Sequence, residues 1–291
     1  MLVFRAVFCD RMSWGTSYEI GAAELATNSL VNVGGAGGLA LGAWILRRGG
    51  MSAGRVARRT VAFFLVTSLV NVGALVLVGV GLGTGLLHGA PEPVMGWAPA
   101  AVGVTAIAAG LALPHVARAL AARVGRPAVT RALEAVAGGV DEALGLLRLG
   151  DPAVLAGAAG YMLFDVAMLG VCFAAFGNDV PPAGVLLLAY IIGLLGGLIP
   201  IPGGIGGVDA GLIGTLVVYG VDATDAAVAV IAYRGLLLSI PAILGLPALA
   251  LLRRRLQTEE HDIAACTPSE EVEVLGRGAV RTWRPVPQEG G

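Results

Sequence analysis

Hydrophobic and polar positions are sorted into long blocks along this chain. Residues 60–117 contain no arginine and a single acid, Glu92, whereas residues 118–151 contain nine charged side chains. Four apolar stretches, at 61–83, 98–116, 152–176 and 226–252, approach or exceed the ~20 residues that a helix needs to cross a hydrocarbon core. Two more are interrupted by glycine. One, 20–46, surrounds Gly34-Gly35-Ala36-Gly37-Gly38, and the other, 185–218, surrounds Pro200-Ile201-Pro202-Gly203-Gly204-Ile205-Gly206-Gly207. Each predicts two half-length helices joined by irregular backbone. Between them, Val129, Leu133, Val136, Val140, Leu144 and Leu147 recur every three or four positions among Arg131, Glu134, Asp141 and Glu142, which predicts an amphipathic helix on the membrane surface or a plain linker between two halves.

The arginines orient these segments, because short cytoplasmic loops hold the positive charge. Arg47, Arg48, Arg55, Arg58 and Arg59 mark one cytoplasmic loop, Arg118, Arg123, Arg126 and Arg131 a second, and the arginine run 253–255 a third. The turns at Glu92, Asp179, Asp222 and Asp225 have none and belong outside. If 185–218 crossed the membrane, Asp179 and Asp222 would lie on opposite sides and the last arginines would fall outside. The segment is therefore expected to be re-entrant, entering and leaving on the outer side. The first Gly-broken segment is its counterpart from the cytoplasm, and three spans separate the two.

The halves also resemble each other in sequence. Gly-Gly-Ala-Gly-Gly at 34–38 answers Gly-Gly-Ile-Gly-Gly at 203–207, and each sits in a broken helix followed by a charged turn and a full span. Inverted repeats with helices broken at matching positions are the architecture of secondary transporters, with substrate bound where the breaks meet. The predicted fold class is an all-α polytopic membrane protein, an inverted repeat with two Gly-broken re-entrant helical hairpins. Its parts are an N-terminal stub (1–17), a first repeat with a hairpin and two spans (18–117), a cytoplasmic amphipathic linker (118–151), a second repeat of span, hairpin and span (152–252) and a polar cytoplasmic tail (253–291), expected to lack fixed structure. The second repeat has a span ahead of its hairpin. The first would need one before residue 8, so either an N-terminal helix is missing or its loss is tolerated.

Composition narrows the chemistry. The chain is 56% hydrophobic and 13% charged, with mean hydropathy +0.82 and net charge −1. All 19 basic residues are arginine. A P-loop lysine, a Schiff base and a Ser-x-x-Lys acylase are thereby excluded. Cys9, Cys172 and Cys266 are isolated, and the three histidines form no H-E-x-x-H, so neither a disulfide framework, a metal site nor a cofactor is expected. Nothing in the charge balance points to nucleic acid.

The run Pro-Ile-Pro-Gly-Gly-Ile-Gly-Gly-Val-Asp-Ala-Gly-Leu-Ile-Gly at 200–214, with Tyr233-Arg234 and Pro241 after it, resembles the lysylphosphatidylglycerol synthase transmembrane family, flippase-like integral membrane proteins of bacteria and archaea. Asn28 to Gly38, Asn-x-x-x-Asn-Val-Gly-Gly-Ala-Gly-Gly, followed by Ala-Trp-Ile-Leu-Arg-Arg, is similar to that family's other signature. The resemblance covers about residues 18–255. It implies a multi-span inner-membrane protein, fused in some members to an aminoacyl-lipid synthase whose product the membrane part moves across the bilayer; no such domain follows in this sequence. The sequence departs from the family's pattern in three places. Further N-terminal helices are lacking, no proline precedes the first glycines, and Ser239 stands where an aromatic is common.

Arg234 lies inside the last span, where a charge costs about 2.5–3.5 kcal/mol on insertion scales. It could grip a lipid phosphate with its planar fork of donors, or pair with Asp165 or Asp209 and tie helices together. Asp209 opens a half-helix, where an acid is favoured by the helix dipole; its other reading, shared with the mid-span Asp165, is a proton-coupled carboxylate. Gly34, Gly35, Gly203, Gly204, Gly206 and Gly207 either break helices and present backbone N–H groups to an anion or simply allow close packing. Asn28 and Asn32 either satisfy freed backbone or touch a headgroup, and Tyr233 adjoins Arg234. Trp44 and Trp97 fall near interfaces as belt anchors.

Together these residues predict a flippase-like transporter, not an enzyme, that moves a phospholipid or lipid-linked intermediate between leaflets in the cell membrane, with its C-terminus cytoplasmic. The alternatives are a non-transporting membrane subunit of a lipid or envelope synthesis complex and a membrane enzyme acting on a lipid-linked substrate. Expected partners are membrane lipids with an anionic or lipid-linked headgroup, and a lipid-synthesis enzyme or a second copy of the chain.

Overall fold

The computed structural model describes residues 14–30, 36–48, 52–124, 126–149, 152–197 and 206–258. The chain is all-α, and the helices among the described residues run α1 (Trp14–Leu30), α2 (Ala36–Arg48), α3 (Ala53–Gly83), α4 (Val94–Ala121), α5 (Pro127–Leu149), α6 (Pro152–Ala175), α7 (Ala183–Gly196), α8 (Gly207–Val218) and α9 (Ala223–Thr258). Four segments, Ala53–Gly83, Val94–Ala121, Leu155–Ala175 and Ala223–Gly245, are long and apolar enough to cross a membrane. They are the four read from the sequence. The difference lies at their ends: α3 continues back to Ala53, so Arg55, Arg58 and Arg59 stand on the span's own helix, and α9 continues as helix through the arginine run to Thr258.

Small residues set the closest helix contacts. Gly79 and Gly83 of α3 face Gly96 and Ala100 of α4, and a Cβ on Gly96 would strike the backbone of Gly83 and the Gly79 carbonyl. Gly103 meets Val76 farther along the same seam, so the two helices run antiparallel with backbones in near contact. The same device joins α5 to α3. Positions 138 and 139 are glycines lying against Arg58 and Val61, and Ala137, Gly139, Val140 and Ala143 of α5 are buried. Arg58 donates to Glu142 at 3.4 Å, and Arg118 of α4 pairs with Asp141. The amphipathic segment thus docks its small-residue stripe on the charged ends of α3 and α4.

α7 is the centre of the second half. Val185 to Ile191 are buried without interruption, as in a helix enclosed on all sides. They join Leu75 and Leu82 of α3, Leu169 and Phe173 of α6, Leu212 and Leu216 of α8 and Val230 and Tyr233 of α9 in one core. α7 and α8 pair as an antiparallel hairpin: Gly193 lies against Leu212 and Gly211, and Gly196 against the backbone of Gly207. α8 ends where Gly220, at φ 90°, lets Val221 N–H reach back to the Leu216 carbonyl at 3.0 Å. On this side Tyr219 Oη donates to the Met95 carbonyl at 2.6 Å, holding the end of α8 to the start of α4.

The packing is reciprocal between the halves. α1 pairs with α2, and α7 with α8; α2 touches α3, and α8 touches α9. α1 packs along α9, where Gly245 fits against Ala22 and Ala26, while α7 packs on α3. Exchanging α1, α2 and α3 for α7, α8 and α9 leaves this pattern unchanged.

Candidate functional site

Asp209 is the third residue of α8. Gly206, at φ 90°, turns the chain into the helix, and its N–H donates to Asp209 Oδ2 at 2.8 Å, while the first helical bond runs from Ala210 N–H to the Gly206 carbonyl at 2.9 Å. A carboxylate closing on the backbone at this position is the acid's half of a capping box. Its other oxygen is committed elsewhere. Arg234, from the first half of α9, donates Nε to Asp209 Oδ1 at 2.8 Å, with its side chain 9% exposed and that of Asp209 25% exposed. Of the two partners that the sequence left open for Arg234, the ion pair joins it to Asp209.

Asp165, on α6, takes a neutral partner. It is buried, and Oδ2 accepts from Tyr190 Oη at 3.0 Å. Tyr190 is the sole polar side chain of α7 and is itself buried. Sequence reasoning did not find it; the available signal was one hydroxyl in the uninterrupted apolar run 185–195. Tyr233, next to Arg234, is 2% exposed and lies in the same core. Four helices, α6 to α9, therefore bring Asp165, Tyr190, Asp209, Tyr233 and Arg234 into one neighbourhood, buried except at the partly exposed Asp209.

Gly206 and Gly207 have different parts. Gly206 supplies the left-handed turn, and Gly207 is the first helical residue and meets Gly196 backbone to backbone. Gly203 and Gly204 lie outside the described residues, as do Asn32, Gly34 and Gly35. Asn28 lies in the last turn of α1. In the first half the helix resumes at Ala36, so Gly37 and Gly38 belong to α2 and not to the break. Trp44 and Trp97 are half exposed, and the indole of Trp97 covers Gly83.

Chemically, the arrangement is an arginine held at a helix start by an acid that also closes the helix. Its fork of donors suits carboxylate or phosphate oxygens, and a competing anion would find the helix N-terminus beside it. The lysylphosphatidylglycerol synthase TM region, as a family, matches residues 8–245. No curated protein and no solved structure matches the chain.

Proposed function

The chain belongs to the lysylphosphatidylglycerol synthase transmembrane family, a multi-pass membrane protein of a lineage tied to lipid modification or transport, and on that premise we propose that it is a flippase-like transporter, not an enzyme, for a phospholipid or lipid-linked intermediate. The observation that carries this reading is the Arg234–Asp209 pair, a guanidinium buried inside a candidate span at the start of a half-helix. The proposed step is exchange. A headgroup phosphate takes the guanidinium from Asp209, which keeps the Gly206 N–H as its partner, while the acyl chains remain in lipid.

The geometry of α7 and α8 supports a re-entrant hairpin. With 14 and 12 residues they extend about 21 and about 18 Å, less than the ~30 Å of a hydrocarbon core. They pair antiparallel, so both ends of the hairpin return to one side, in keeping with the arginine-free turns at Asp179 and Asp222. The reciprocal contacts of α1–α3 and α7–α9 support two halves of inverted sense. In this reading the protein lies in the inner membrane with the end of α9 in the cytoplasm, and its partners are anionic or lipid-linked headgroups.

The test is lipid translocation in proteoliposomes, with headgroup-labelled phosphatidylglycerol and phosphatidylethanolamine and an external quencher. Quenching beyond the outer-leaflet share, lost in Arg234→Ala and partly kept in Arg234→Lys, is the expected result. No translocation by folded wild-type protein would favour a non-transporting subunit of a lipid-synthesis complex.

A further inference from the structure

Between residues 152 and 252, away from the outer turns with Asp179, Asp222 and Asp225, the chain has three charged side chains: Asp165, Asp209 and Arg234. Asp209 and Arg234 neutralise each other. Asp165 is a second carboxyl, 8% exposed, with no ion pair to an arginine among the described residues. The groups around it are Tyr161, one turn earlier on α6, Tyr190 from α7 and Tyr233 from α9; Cys172, two turns later on α6, and Arg234 of α9 stand one step farther out, beside Tyr233. α3, which also packs on α6, has no titratable side chain between Val61 and Gly83.

With both acids ionised, this buried neighbourhood carries one net negative charge, and an uncompensated charge at membrane depth is expensive. Tyr190 does not neutralise it. Its hydroxyl donates to a carboxylate and, more weakly, to the carbonyl oxygen of a carboxylic acid, so the contact survives either state. The site is therefore built to hold Asp165 in both forms, which is what reversible proton uptake requires.

We propose that Asp165 is a proton-binding site whose occupancy offsets the charge of an anion arriving at Arg234. The proton passes from water to a carboxylate oxygen, forming one O–H bond, and returns to water when the anion leaves. The coupling to headgroup movement rests on the transport reading; the proton site does not. By linkage, anion binding and proton binding strengthen each other.

The experiment is infrared difference spectroscopy of the full chain in phosphatidylethanolamine–phosphatidylglycerol vesicles, titrated from about pH 8 to about pH 5. The expected result is a protonated-carboxyl C=O stretch that grows toward acid, disappears in Asp165→Asn, persists in Asp165→Glu and moves to higher wavenumber in Tyr190→Phe, which removes the donor to the carbonyl. A wild-type spectrum without a pH-dependent carboxyl band, or a band that survives in Asp165→Asn and vanishes in Asp209→Asn, overturns the assignment. These outcomes are read without any lipid movement, so they stand apart from success or failure of the translocation assay. Where translocation occurs, an inward proton gradient is expected to raise its rate in wild type and leave Asp165→Asn unchanged; a wild-type rate indifferent to the gradient overturns the coupling.

Discussion

Arg234 of α9 reaches Asp209 at the start of α8, so one contact fixes the hairpin to the span that follows it. Removing one partner of a buried pair strands the other, at a cost of about 3–5 kcal/mol. Asp209 is a quarter exposed and keeps the Gly206 N–H, which places Arg234→Ala at the lower end of that range. The double variant Arg234→Met, Asp209→Asn should recover part of the stability and none of the translocation. Denaturant unfolding in detergent, run beside the lipid assay, separates the two effects; full recovery of transport in the double variant would contradict the site.

The α3–α4 seam makes a sharper packing prediction. Gly96→Ala puts a methyl into the backbone of Gly83 and is expected to destabilise by about 1–3 kcal/mol through overpacking. Gly110 on the same helix has open space where its Cβ would stand, so Gly110→Ala should be neutral or stabilising by up to about 1 kcal/mol. Thermal unfolding of the two variants side by side checks the contrast, and equal effects would show that the helices do not approach through glycine.

Asp222 caps α9. Its Oδ1 accepts from the N–H of Thr224 at 2.8 Å and of Asp225 at 3.3 Å, and these bonds hold its carboxyl below the usual aspartate range. A lowered folded-state value means that the stabilisation is complete above the unfolded value of about 3.9 and fades as pH falls through the folded value. The melting temperatures of wild type and Asp222→Ala should therefore differ at neutral pH and converge in acid. Asp222→Asn, which keeps an acceptor, should lie between them. A gap that widens in acid would reverse the sign and defeat the assignment.

Topology is testable without function. With Cys9, Cys172 and Cys266 replaced, single cysteines at Asp179 and at Asp222 should both react with a membrane-impermeant reagent added outside intact cells, and a cysteine at Glu134 should react only after permeabilisation. Labelling at Asp179 but not at Asp222 would mean that the hairpin crosses the membrane.

The spans were legible because each is a continuous apolar run in which one charge at most intrudes, Asp165 or Arg234, and length alone then decides for helix. Their arginine-bearing ends were less legible, since Arg55, Arg58 and Arg59 read as loop charge yet ride on α3, where Arg58 meets α5 through Glu142. The glycine break of the second half was visible beside its prolines; that Gly196, Gly193 and Gly211 are the seam of the hairpin was not, because close approach depends on how two helices cross. Asp165 and Asp209 were equal candidates for Arg234. The choice between them belongs to the turn at Gly206, which aims one carboxylate oxygen at the backbone and the other at α9. Tyr190 had no periodic or charged neighbour to mark it.

The packing of α1 along α9 sets a problem of timing during synthesis. Ala22 and Ala26 are made early, whereas Gly245, against which they fit, is made much later. Until then α1 lacks its main neighbour, and the same exchange leaves α3 waiting for α7. Neither half can complete its packing as it emerges, so assembly depends on contacts distant in sequence, which form slowly. A nascent chain arrested before α9 should accordingly be held by the insertion machinery or degraded, and α9 is the element whose arrival closes the fold.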